Sequence, residues 1–173
     1  MKEVHLELKD VVSIESGVAS LLRTWRNSDD VRKQMVSDHI ISAEEHGKWL
    51  DSFRGNPAKR GWVVYWNNKP AGFMQLTEID HAAGTAEWGL YIGEANLRGR
   101  GIGKNALLRL LELGFGELGL RKLTTKVLEG NKTALSLYRS VGFQEEGKRT
   151  PLLRDGKKTE AVVMSMTDDA WRN

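Results

Sequence analysis

The 173-residue chain contains no cysteine, which excludes disulfides and thiolate metal sites. No apolar run approaches the ~20 residues of a membrane span, and the first residues lack the apolar core of a signal peptide. A cytoplasmic protein with no membrane partner is the expectation. The four histidines, His5, His39, His46 and His81, show no metal-ligand spacing, so no metal is expected. Charge of one sign is scarce too. Twenty-six Lys and Arg against 23 Asp and Glu leave a net +3, with no basic block interleaved with aromatics, which argues against a nucleic-acid partner. A mildly basic balance suits a small anionic ligand. There is no internal repeat and no low-complexity stretch. The length suits one domain, 1–173, able to bury about 70% of its unfolded surface.

What is present concentrates in Arg98-Gly99-Arg100-Gly101-Ile102-Gly103-Lys104, between a strand-like run, Ala86 to Ile92, and a helix-like run, Ala106 to Leu118. A glycine-rich loop entering a helix leaves backbone N–H groups unpaired beside the positive end of the helix dipole, which suits phosphate or pyrophosphate. Glycine removes Cβ atoms that would hold a ligand away and permits φ > 0 where amides converge. Arg98, Arg100 and Lys104 add positive charge around the loop. A P-loop reading fails, because Asn105 follows Lys104 and Arg98 takes the place of the first glycine. A dinucleotide fingerprint forced onto Gly101, Gly103 and Ala106 needs an acidic residue about 20 positions on, and Glu129 comes later. The pattern that remains is Arg-x-x-Gly-x-Gly at Arg98, Gly101 and Gly103.

A second motif runs from Asn131 to Phe143. Gly130-Asn131 ends a β-rich run, Lys122 to Leu128, and starts a helix. Ala134, Leu137, Tyr138 and Val141 share one helical face, Gly142 stops the helix as a C-cap, and Phe143 opens the next strand. On periodicity alone Tyr138 reads as a core aromatic. Taken together, in this order and spacing, the two motifs resemble those of the GNAT acetyltransferases over residues 60–167. The resemblance implies an α/β (α+β) fold with a mixed, mostly antiparallel sheet of about seven strands. That sheet is splayed between its fourth and fifth strands and flanked by about four helices. It also implies acetyl-CoA as cofactor. Arg98, Gly99, Arg100, Gly101, Ile102, Gly103 and Lys104 would hold its pyrophosphate. Backbone groups at Leu90, Tyr91 and Ile92, with Asn131 and Ala134, would hold its arm between Ala86–Ile92 and Lys122–Leu128. Tyr138 would be the general acid.

The element order follows from local signals. Val4 to Val12 reads as a strand, Gly17 to Arg26 as a helix, and Ser28 or Asp29 caps a short helix running to Met35. Ser42-Ala43-Glu44-Glu45 is a capping box for a helix through Trp49 and Phe53. Gly61–Trp66 and Ala71–Ile79 form a hairpin around Asn67-Asn68-Lys69-Pro70, Gly84–Ile92 is the third strand of that meander, and Gly89 suits a bulge or a close backbone approach. Strands near 143–150 and 158–167, joined at Asp155-Gly156, close the chain.

Transfer of an acetyl group to an amine needs a neutral amine, a donor for the oxyanion and a proton for the leaving thiolate. For the base, Glu87 and Glu129 fall near the splay and Glu78 on the adjacent strand; Glu129, at its strand end just before Asn131, is favoured. Residues before 60 must choose the acceptor. Trp25-Arg26-Asn27, Val31-Arg32-Lys33-Gln34-Met35 and Ile41-Ser42-Ala43-Glu44-Glu45-His46-Gly47-Lys48-Trp49 resemble the acetyltransferases of pseudaminic acid biosynthesis. Those enzymes act on the 4-amino group of a UDP-linked amino-dideoxy sugar. Leu76–Asp80 and Glu87–Ile92 extend the match. Under this resemblance Arg26 offers a planar fork to phosphate and His46 hydrogen-bonds phosphate or uracil. Thr77, Glu78, Glu87, Tyr91 and Glu129 supply polar contacts, while Met35 and Trp49 give apolar surface to the sugar. The partner is then a small-molecule amine, a UDP-amino sugar, and many such relatives self-associate, which brings a homodimer with it. The alternatives are a protein N-terminus of the ribosomal-protein type, a polyamine, or an acyl-CoA-binding sensor without catalysis. A polyamine would use Asp29, Asp30, Asp38, Glu44 and Glu45, but Arg26, Arg32, Lys33 and Lys48 interleave with them.

Overall fold

In the computed structural model, which describes residues 5–173, alternating apolar residues build one seven-stranded sheet. Its strands are β1 (Leu6–Asp10), β2 (Arg60–Trp66), β3 (Lys69–Asp80), β4 (Thr85–Ile92), β5 (Lys122–Leu128), β6 (Gln144–Arg154) and β7 (Lys157–Thr167), in the order β1-β2-β3-β4-β5-β7-β6. The expected first strand begins at Val4, which lies outside the described residues. Asn67 and Asn68, at φ 48° and 64°, make the two-residue turn between β2 and β3, where both central positions need positive φ. The bulge expected at Gly89 lies instead in β3, between Thr77 and Asp80, with Glu78 at φ 50°. Gly89 pairs in regular register with Gln75, and a Cβ on it would meet only ordinary contacts, 3.6 Å or more away.

Six α-helices cover the sheet, rather than about four: α1 (Ser16–Asn27), α2 (Asp29–Arg32), α3 (Ala43–Asp51), α4 (Ile102–Leu111), α5 (Lys132–Val141) and α6 (Asp168–Arg172). Ser28 caps α2 and the Ser42/Glu45 capping box starts α3. The helix after the glycine loop does extend toward Leu118, but its last stretch, Glu112–Glu117, widens into a π-helix. Gly142, at φ 116°, ends α5. Period-two alternation sends Trp62, Val64, Met74, Leu76 and Trp88 to one face, against Leu107, Leu110, Leu111, Leu135 and Tyr138. Val63, Tyr65 and Phe73 face the other way, onto Leu22, Trp25 and Phe53.

The feature that positions the site is a parallel pair that stops early. β4 and β5 pair only at Thr85–Lys122, Ala86–Leu123 and Glu87–Thr124. Beyond this point β4 stays bound to β3 as far as Ile92–Gly72, and β5 to β7 as far as Leu128–Ala161. At the parting, the buried Thr125 hydroxyl donates to the Trp88 carbonyl over 2.9 Å. It satisfies a carbonyl that a continuing ladder would have used.

Thr125→Val keeps the shape and deletes that donor, leaving a buried carbonyl unpaired at a cost of about 1–3 kcal/mol. Thermal unfolding of the variant should show a lowered Tm with native circular dichroism retained; an unchanged Tm would mean that water or another donor replaces the hydroxyl.

Candidate active site

A cleft of about 1020 Å³ opens where β4 and β5 separate. It runs from the start of α4, past Tyr138 on α5, to the segment joining α2 to α3. Of the residues the sequence singles out, Arg26, Met35, His46, Trp49, Thr77, Glu87, Leu90, Tyr91 and Ile92 line it. So do Arg98, Gly99, Gly101, Gly103, Lys104, Asn131, Ala134 and Tyr138.

Four others do not. Ile102 is 1% exposed and belongs to the core. Arg100 and Glu78 are exposed outside the cleft. Glu129, favoured as base, sits in the exposed turn after β5, where its carboxylate accepts from the Thr159 hydroxyl at 3.3 Å. The turn at Gly130 carries it away from the parting strands, so the carboxylate left in the cleft is Glu87, with Lys126 Nζ at 3.4 Å.

At one end, Gly101 is the N-cap of α4 at φ 80°, with no side chain capping the first turn. A Cβ built on Gly99 would meet nothing within 4 Å, and those on Gly101 and Gly103 nothing nearer than 3.8 Å. The loop is bare because it faces the cleft, not because neighbours crowd it. That is a cradle for an anion at a helix start. The Arg98 side chain turns inward instead: its Nε and Nη2 donate to the carbonyls of Ile92 and Gly93, and its Nη1 pairs with Asp30 at 3.1 Å. Arg98 therefore braces the end of β4 while its backbone stays at the loop. Asn131 Oδ1 caps α5 through the Ala134 amide at 3.2 Å, so only its Nδ2 remains for a ligand.

In the middle, Tyr138 is 8% exposed and stands edge-on to Trp88, with ring centroids 4.8 Å apart at 72°. Burial pushes its phenol up to about 12. Trp88 Nε1 and Gln75 Oε1, both in the cleft lining, are buried without a hydrogen-bond partner. Such orphaned polar atoms are costly unless a ligand or water meets them. Gln75 escaped the sequence reading, although it lies on the same strand face as Thr77, two residues away. Thr125 escaped because nothing local marks the residue at which two strands part.

At the far end, Arg26 donates through Nη2 to the Ser37 carbonyl at 2.7 Å, while its Nη1 is buried and unpartnered. Burial lowers its pKa; the nearby Tyr91 phenol works against that, and Arg154 and Arg32 add to it. Burial in turn raises the Tyr91 phenol, with Arg26 opposing. His46 is 7% exposed, stacked at 5.2 Å on Trp49, and held below its usual pKa by burial and then by Arg23. The charged side chains lining the cleft are Arg26, Arg98, Lys104 and Lys126 against a single carboxylate, Glu87. Among the described residues there is no cluster of metal-ligating side chains, and no helix is long and apolar enough to cross a membrane.

Residues 22–143 match the sequence profile of the Acetyltransferase (GNAT) family. The chain belongs to that family. GNAT enzymes are N-acetyltransferases that use acetyl-CoA, and the bare glycine cradle and unpaired strand edges of this cleft fit that molecule. Among GNAT relatives, the spermidine N(1)-acetyltransferase of Escherichia coli K12 is 33% identical over 122 residues, 70% of this chain and 65% of that enzyme. N-acetyltransferase p20 of Bacillus licheniformis is 31% identical over 171 residues, 96% of this chain and 93% of that protein. The fold matches spermidine N-acetyltransferase from Vibrio cholerae, solved with CoA and spermine, at TM-score 0.88 and 24% identity, covering 97% of this chain and 98% of that one. It also matches Campylobacter jejuni N-acetyltransferase PseH, solved with acetyl coenzyme A, at TM-score 0.71 and 20% identity, covering 94% and 99%. Sequence likeness therefore runs more strongly to spermidine enzymes than the resemblance of the acceptor half implies.

His46 makes stability depend on pH in a defined window. The unfolded chain protonates it near its ordinary value of about 6.5, whereas the folded chain holds it lower. Its stabilising contribution is complete above that value and declines as pH falls toward the folded pKa. Glu45, Glu145 and Glu146, held below the usual carboxylate range by hydrogen bonds, act only at lower pH. Tm should fall between pH 7 and 5, and His46→Gln should flatten that decline; identical slopes would contradict it.

Proposed function

We propose that the chain transfers an acetyl group from acetyl-CoA to the primary amine of a small neutral or anionic acceptor, of the nucleotide-linked amino-sugar class. The observation that carries this reading is the charge of the cleft. Its one carboxylate, Glu87, is ion-paired with Lys126, and Arg98 is paired with Asp30, which leaves Arg26 and Lys104 as lining cations without a carboxylate partner among the described residues. A polycation entering such a cleft meets like charge, whereas an acceptor with a diphosphate is attracted.

The backbone amides at Gly101–Gly103 and the free edges of β4 and β5 would hold the cofactor, with Asn131 Nδ2 beside them. Bound acetyl-CoA supplies an acetyl thioester, an activated acyl group. The chain's own residues supply the proton handling. Tyr138 Oη keeps its proton through the neutral range, because burial raises its pKa to about 12, and it is the donor in the cleft. Glu87, on the acceptor face of β4, is the carboxylate that takes the proton an amine must shed. Lys126 Nζ stands 3.4 Å from that carboxylate. Arg26 Nη1 and the Trp49–His46 pair are the contacts for the acceptor's anionic and ring portions.

A second reading, a polyamine acceptor, is favoured by the spermidine acetyltransferases among the relatives. In that case Glu87 is the sole lining carboxylate available to a cationic chain.

A thiol-release assay with acetyl-CoA against UDP-4-amino sugars, spermidine and N-terminal peptides separates the readings. Turnover with the UDP-sugars alone supports the first; turnover with spermidine alone overturns it. With the acceptor that is used, Tyr138→Phe should bind CoA within about twofold of wild type and lose roughly 10²–10⁴ in kcat, the usual range for a positioned acid. An unchanged kcat would remove Tyr138 from the chemistry.

A further inference from the structure

One wall of the cleft is the segment 33–41 between α2 and α3, of which Gln34, Met35, Val36, Ser37 and Ile41 line the cavity. It has no regular secondary structure beyond turns and bends, so its carbonyls must find partners elsewhere. Some bonds are local. Asn27 exchanges both amide bonds with Ile41, at 2.8 and 2.9 Å, Arg26 holds the Ser37 carbonyl and Arg32 the Asp38 carbonyl. These bonds pin the second half of the segment. The first half is held differently.

Arg154, at the end of β6 beside the exposed Asp155-Gly156 turn, reaches across the molecule to that first half. Its Nη1 donates to the carbonyls of Met35 and Val36, and its Nη2 to those of Arg32 and Lys33, both at 3.2 Å. Four carbonyls of one turn converge on one planar guanidinium, from about 120 residues away in the chain. A lysine has the charge but not the fork, and cannot span four acceptors. No carboxylate pairs with Arg154 among the described residues, so these carbonyls are its anchoring partners.

We infer that Arg154 is a positioning residue for the acceptor: by holding the carbonyls of residues 32–36, it fixes the wall that Met35 and Val36 present to the cleft. The inference rests on reading that end of the cleft as the acceptor end. It links the β6–β7 hairpin, none of whose residues lines the cleft, to acceptor binding alone. Loss of the latch loosens the wall and leaves the cofactor end unchanged.

The test compares wild type with Arg154→Lys and Arg154→Gln, two variants so that one folding failure does not decide the matter. Amide hydrogen exchange needs no acceptor. Exchange over residues 33–37 should rise at least tenfold in both variants, with β4 and residues 99–104 unchanged. Kinetics with UDP-4-amino sugar or spermidine, whichever the wild type acetylates, should show acceptor KM raised about tenfold and acetyl-CoA KM within twofold. Unchanged exchange at 33–37 overturns the inference, as does faster exchange throughout the sheet. Loosened exchange with an unaltered acceptor KM overturns the positioning role. An acceptor KM that rises with either substrate class upholds it, whichever class the cleft accepts.

Discussion

Everything in the cleft depends on two parallel strands that agree for three residue pairs and then part. Had β4 and β5 continued their ladder beyond Glu87–Thr124, their facing amides and carbonyls would be spent on each other, and no extended ligand could lie between them. Separation exposes backbone polar groups that cost free energy when buried unpaired. The chain meets that cost at the fork with the Thr125 hydroxyl on the Trp88 carbonyl. Beyond the parting each strand stays in register on its other edge, β4 with β3 from Trp88 to Ile92 and β5 with β7. The opening is flanked by these ladders, and its lining reaches the start of α4 and Tyr138.

The two ends of the cleft are built by opposite strategies. The cofactor end is backbone: glycines with open space where a Cβ would be, an uncapped helix start, free strand edges. In the proposed reading such a site would recognise a phosphate and an amide-bearing arm without regard to what is acetylated. The acceptor end is side chain: Arg26, Arg32, Asn27 and Arg154 tie an irregular segment into a wall through its carbonyls. Of these guanidiniums Arg32 also pairs with the Asp29 carboxylate, whereas Arg26 and Arg154 bond backbone carbonyls and have no carboxylate partner among the described residues. The Trp-Arg-Asn signature becomes intelligible in this light. Trp25 packs its ring where a Cβ on Gly93 would clash at 2.0 Å and bonds Glu94 through Nε1. Arg26 and Asn27 hold the wall, and the Nη1 of Arg26, a cleft-lining residue, is buried without a hydrogen-bond partner.

What the sequence made legible were the features governed by local backbone rules. The glycine cradle, the Asn131 and Gly142 caps of α5, the capping box at Ser42 and the Asn67-Asn68 turn all obey short-range conformational preferences, and all stand where those rules put them. Features set by register or distance were not legible. Glu129 was favoured because it ends a strand beside Asn131, but its direction is decided by the following turn. The bulge sits at Glu78 rather than Gly89 because it depends on how β3 and β4 pair. Arg154 had no local signal at all, since its partners are more than a hundred residues away.

The most direct test of the parted strands as the acyl-CoA site is amide hydrogen exchange measured with and without saturating coenzyme A. The account predicts slowed exchange at residues 90–92, at the start of α4 around 102–104 and near Asn131, with β1, β2 and β6 unaffected. Protection confined to other surfaces, or none at the glycine loop, would contradict it.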